Sequence, residues 1–292
     1  MPTASPPGPP NHPPHDAPGG QLTGEPAAAH TGEPSGPSFA ASARTPAELL
    51  AALVASDPGR PRVTWYDDAE GPTRGERVEF SARVLANWTA KAANLLVDEL
   101  DLEPGDEVVL AIPTHWRALY WSLAVWSAGG VVVVPAGPDD VPDDPRVLVV
   151  TAQTAGLAVG SAAASVVAVS LPALSRGWAD GPLPAGAVDE AAVLTGQGDV
   201  FAPFDDPDPN GLALRVGSGP QARAWTSAGL LSDARRAAST LRERARVLRT
   251  EGPAAAVDLL APWTVDGSLV LVRDPDPALL DERLRAEQVT RG

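Results

Sequence analysis

Hydrophobic positions change their period along this chain, and each change marks an element. Over residues 46–55 leucines recur at helical spacing, whereas residues 62–66 and 77–80 are short β-branched and aromatic runs on either side of an Asp/Gly/Pro-rich loop, the pattern of an antiparallel pair. Ser81 then stands where a helix needs an N-cap. Its hydroxyl can accept from a free amide of the first turn, and Phe80 and Leu85 have the spacing of a hydrophobic staple. Val84, Leu85, Trp88, Ala92, Leu95 and Leu96 make one apolar face of the helix that follows, with Lys91 off the stripe.

Next, Pro104 and Gly105 supply the corner and the positive φ of a type II turn into a strand over residues 107–112. After Pro113 the spacing predicts a helix over residues 115–127, a stop at Gly129-Gly130 and a buried strand at Val131 to Val134. Strand, short helix and buried strand predict a right-handed parallel crossover, and so an α/β fold with a layered parallel or mixed sheet. Further on, Leu212 to Val216 reads as a strand leading into Gly217-Ser218-Gly219-Pro220-Gln221, which is by itself a turn signal. Residues 235–249 read as a helix with arginines spread round it, a solvated face.

Composition adds exclusions. Residues 1–43 are rich in Pro, Gly, Ala and Ser, lack the apolar run of a secretory signal, and are expected to be a disordered tail; residues 44–292 are expected to form the folded domain. The formal charge of −15 argues against nucleic acid or a membrane surface as partner. Residues 118–138 are uncharged, but Gly129-Gly130 and the change from helical to strand pattern argue against a membrane span, and a cytoplasmic location is expected. The chain has 0 cysteines, which removes thiolate nucleophiles, disulfides and Cys-based zinc sites. His12, His15 and His30 lie in the tail, so His115 is the one imidazole of the folded part, expected to cap a helix, and no metal site is expected. Lys91 is the only lysine. The acidic runs at Asp139-Asp140, Asp143-Asp144 and Asp205-Asp206 read as solvated loops, and Trp88, Trp116, Trp121 and Trp126 as core packing.

Two segments carry a resemblance. VEFSARVLANWTAKAANLL and LEPGDEVVLAIPTHWRALYWSLAVWSAGGVVVVP resemble, in order and turn chemistry, the first part of the large domain of adenylate-forming enzymes, the AMP-binding and acyl-CoA synthetase-like superfamily. None of these residues is catalytic in that family. Its phosphate loop resembles "TSGTTGxPKG", and the counterpart here is Gly217, Ser218, Gly219 and Gln221, with Gln221 in place of the family's lysine and Arg223 displaced by two positions. Residues 259–290 resemble the family's "PLLAGATVVL…I…VT" segment. The adenine and ribose segments and the second family lysine have no counterpart, and Lys91 matches neither lysine.

The resemblance thus implies a truncated relative with no catalytic residues, a ligand- or partner-binding scaffold without adenylation of its own. ATP or AMP would be its ligand, with Mg only if ATP binds, and a protein partner or a homo-oligomer its assembly. The alternative it implies is a divergent ligase that needs a partner subunit. The Ala/Pro/Gly bias and the excess of Arg over Lys point to an actinobacterial source.

Overall fold

The computed structural model describes residues 39–290, so residues 1–38 of the expected tail over residues 1–43 lie outside the described residues. In chain order the elements are α1 (Pro46–Ser56), β1 (Pro61–Asp67), β2 (Arg77–Ser81), α2 (Ala82–Asn94), β3 (Glu107–Ala111), α3 (Trp116–Ser127), β4 (Val131–Val134), β5 (Val147–Val150) and β6 (Ser165–Ala168). There follow β7 (Val188–Asp189), α4 (Glu190–Val193), β8 (Leu212–Val216), β9 (Arg223–Thr226), α5 (Ser227–Ala237), β10 (Arg246–Arg249), α6 (Ala256–Leu260), β11 (Ser268–Arg273) and α7 (Pro277–Ala286). No helix among the described residues is long and apolar enough to cross a membrane.

Local chemistry explains most boundaries. Thr45 and Glu48 form a reciprocal capping box at the start of α1, and the Ser81 hydroxyl accepts from the Val84 amide at the start of α2. Gly105 has φ 91° in the Pro104 turn, and Gly129 has φ 77° where α3 gives way to β4, conformations that a side chain would strain.

The strands form two sheets. One has four strands in the order β10-β11-β1-β2, and the other seven in the order β7-β6-β5-β3-β4-β8-β9. In the larger sheet all neighbours are parallel except the β8–β9 pair. Side chains alternate across its strands: Val108, Leu110, Val132 and Val149 join the main core with α1, α2, α3, α5 and α6, while Val109, Val131, Val133, Leu148 and Val150 form a second cluster. The smaller sheet adds Val63, Trp65, Leu269 and Leu271 to the same main core, so the helices fill the space between two sheets. Trp65, Trp121 and Trp263 are among its largest buried side chains, and Trp116 and Trp126 are also buried.

Three expectations are corrected. Residues 235–249 do not form one helix: α5 stops at Ala237, Arg244 takes a positive φ of 60°, and Arg246–Arg249 pairs with β11 as a strand because Val247 finds a buried place beside Leu269. The packed chain starts ahead of residue 44, since Phe39 and Ala40 pack against the core and the Arg235 guanidinium donates to the Ala40 carbonyl at 2.9 Å. Val84, expected on the apolar face of α2, is 39% exposed.

Candidate functional site

Strand order places a crevice. β4 lies on one side of β3 and β5 on the other, so the chain leaving these parallel strands diverges at their carboxyl ends, where open α/β sheets bind ligands. A cleft of ≈ 660 Å³ opens there, lined by Leu110 to Pro113 at the end of β3 and beyond it, by Val134, Pro135 and Pro138 at the end of β4 and beyond it, and by Thr151, Gln153 and Thr154 after β5. Arg273, at the end of β11 in the smaller sheet, also lines it.

The polar edge of this cleft is fixed by a turn. Thr154 Oγ1 accepts from the Thr151 amide at 2.8 Å and donates to the Ala111 carbonyl at 2.8 Å, which ties the exits of β5 and β3 together. Thr151 Oγ1 donates to Gln153 Oε1 at 3.0 Å. Arg273 is the one ionisable residue of the lining, and its guanidinium sits 3.3 Å from the buried Asp67 carboxylate. The cleft therefore offers an apolar body and a hydroxyl and amide edge, with no acid–base pair.

The glycine loop lies beside it. The Gly217 amide donates to the Val134 carbonyl at 3.0 Å, which holds the start of the loop against the exit of β4. Gly217 and Gly219 have φ of 72° and 62°, and Gly219–Gln221 forms a single 3-10 turn. The Ser218 hydroxyl bonds to the Asp140 carboxylate, which also accepts from the Ala136 amide at 2.8 Å. Asp140 is thus more than a solvated loop residue: these hydrogen bonds, Ser218 first, hold its carboxyl below the usual range. Gln221 is exposed, and Arg223 lies over the Trp225 ring at 5.3 Å. The Lys91 ammonium is elsewhere, 3.0 Å from Asp199 and bonded to the Thr195 and Gln197 carbonyls.

His115 caps α3, its Nδ1 accepting from the Arg117 amide at 3.1 Å. It is 1% exposed and packs on Trp65 with 4.3 Å between ring centroids. Burial, then the charges of Arg117 and Arg273, push its pKa well down, so the imidazole is neutral.

Sequence reasoning found the loop and the cap but missed Thr151, Thr154 and Arg273 in the cleft. The continuous apolar run Val147–Val150 was the available signal for a buried strand whose next residues would line its carboxyl end.

Layered α/β architecture with two sheets around a helical core is the fold that this chain shares with solved adenylate-forming enzymes. A Mycobacterium tuberculosis fatty acyl-CoA synthetase superposes with a TM-score of 0.67 at 14% identity, over 84% of this chain and 48% of its own. Apo MatB from Rhodopseudomonas palustris gives 0.62 at 18% identity, over 82% and 48%. The amide bond synthetase McbA from Marinactinospora thermotolerans gives 0.58 at 20%, over 84% and 47%, so the chain spans about half the length of these solved structures. No family model matches the chain. A curated relative from Mycobacterium tuberculosis, a TIGR03089 family protein, is 38% identical over 254 residues, covering 83% of this chain and 95% of the relative. The chain belongs to the TIGR03089 family.

Proposed function

We propose that this protein is a ligand-binding scaffold on the adenylate-forming fold, without adenylation chemistry of its own. The observation that carries this reading is the glycine loop: its serine hydroxyl is engaged by the protein's own Asp140 carboxylate, where a phosphate loop would present hydroxyls to a nucleotide. A carboxylate at that place repels phosphate, and Gln221 supplies no charge to offset it. Adenylation builds negative charge on the oxygens around the reacting phosphorus, and aimed cations lower that barrier by several kcal/mol. The strand-end cleft remains suited to an apolar small molecule that hydrogen-bonds to the Thr151 and Thr154 edge.

The test is the thermal midpoint by tryptophan fluorescence, with and without millimolar ATP·Mg or AMP. A nucleotide at a hundred times its dissociation constant would add about 2.7 kcal/mol. No shift is the expected result. A shift of several degrees with either nucleotide overturns the reading in favour of a divergent ligase completed by a partner subunit.

A further inference from the structure

A second groove, of ≈ 720 Å³, lies between α1, α2 and residues 199–207, and it shares no lining residue with the strand-end cleft. Its first wall is an oddity of α1. That helix buries Pro46, Leu49, Leu50 and Leu53 in the core, yet a second apolar stripe, Ala47, Ala51, Val54 and Ala55, opens onto the groove at i, i+4, i+7 and i+8. Glu48, the one charged residue of α1, is occupied in the capping box. A helix that is apolar on two sides needs two neighbours, and the second is absent among the described residues.

Across the groove, Ala86, Thr89 and Ala90 of α2 form the facing wall. Thr89 is 4% exposed, and its hydroxyl has no hydrogen-bond partner among the described residues. The small side chains on both walls leave a trough in which a third helix can approach at ordinary packing distance, about 8–10 Å between axes. Val200, which lines the groove, is 81% exposed, and Phe204, in the same 199–207 segment, 101%, apolar surface that is disfavoured until something apolar covers it. Phe204 is followed by Asp205, Asp206 and Asp208; Asp206 lines the groove, as does Asp199, whose carboxylate is already paired with the Lys91 ammonium at 3.0 Å. Among the described residues no Lys or Arg lines it.

We propose that this groove docks an amphipathic helix of a partner protein, apolar along one face and carrying Lys or Arg where it meets Asp206 and the adjoining exposed acids Asp205 and Asp208. Charge complementarity selects the occupant. Residues 1–38 do not qualify, because they contain no Lys or Arg. The proposal does not depend on what the strand-end cleft binds, nor on whether the glycine loop accepts nucleotide.

The experiment is fluorescence anisotropy of the full chain with a labelled Leu/Lys helix about five turns long, leucines on one face. A Lys/Ser peptide of equal charge and a Leu/Glu peptide of equal apolarity are the controls. The Leu/Lys helix is expected to bind at least about tenfold tighter than either control, and V200S/F204S to weaken it by about tenfold or more, as truncated anchors of an interface do. The thermal midpoint of V200S/F204S should match the parent, since both side chains are exposed. Equal binding of the Leu/Lys and Lys/Ser peptides, or no loss in V200S/F204S, overturns the proposal. So does a dimer in analytical ultracentrifugation that V200S/F204S abolishes, because the groove's occupant would then be a second copy of this chain.

Discussion

Asp266 and Glu190 are both carboxylates buried against an arginine, one in the turn that leads into β11 and the other at the first residue of α4, facing Arg117 of α3, and they hold their protons oppositely. Burial raises the pKa of each. At Asp266 that effect is outweighed: Arg62 Nη2 approaches at 2.7 Å, Arg60 Nη1 at 2.9 Å, Arg244 Nε at 3.2 Å and Ser56 Oγ at 3.1 Å, and the pKa is lowered. Glu190 is fully buried and has one guanidinium, that of Arg117 at 3.2 Å, with the Tyr120 hydroxyl; burial prevails and the pKa is raised. The difference teaches that the number of donors converging on a carboxylate, and not burial alone, sets whether its charge stabilises the fold.

The opposite shifts give opposite pH slopes. The lowered pKa of Asp266 contributes stability that is present above the ordinary carboxylate range and is lost as pH falls through the folded-state value. For Glu190 the folded state binds its proton more tightly than the unfolded chain does, so stability falls as pH rises from the ordinary range through the raised value.

Asp266→Ala should show the largest effect, because it strands Arg62, whose side chain is 0% exposed. Breaking such a buried pair costs about 3–5 kcal/mol, measurable by urea unfolding at pH 7. The cost should shrink as pH is lowered below the ordinary aspartate range. A cost that stays constant with pH would mean that packing, not the ion pair, carries the site.

Glu190→Gln should cost less, about 0.5–1.5 kcal/mol, since the amide retains an acceptor for Arg117 and Tyr120 and burial already disfavours the charge it removes. Here the cost should shrink as pH rises, the reverse of Asp266→Ala. Parallel slopes in the two titrations would break the comparison.

Neither pair was legible in the sequence, for a physical reason: Arg62 and Asp266 lie 204 positions apart, and Arg117 and Glu190 lie 73 apart. What was legible is local. The Ser81 cap, the Pro104-Gly105 turn, the His115 cap and the Val131–Val134 strand are each decided by a few adjacent residues, and each stands where the spacing puts it. The region around β10 was misread because its arginines tolerate helix or strand, and the choice was made by the long-range pairing with β11. The candidate loop was half legible. Its glycines announce a turn with positive φ, but the Ser218 contact with Asp140 spans 78 positions and leaves no local mark.

Asp140 is the smallest test and the sharpest. Its pKa is lowered like that of Asp266, but by the Ser218 hydroxyl and the Ala136 amide on a surface loop, with little burial to overcome. If donors alone made a carboxylate stabilising, Asp140→Asn would lower the thermal midpoint. It should not, because water replaces the same hydrogen bonds when the loop opens, and the net gain of an exposed pair is close to nothing. Carboxyl-carbon NMR should still find the Asp140 titration below the ordinary range, and Ser218→Ala should move it back up. A fall in midpoint for Asp140→Asn would instead mean that the loop braces β4 against β8, and the contact would then be part of the fold's support as well as a barrier to phosphate.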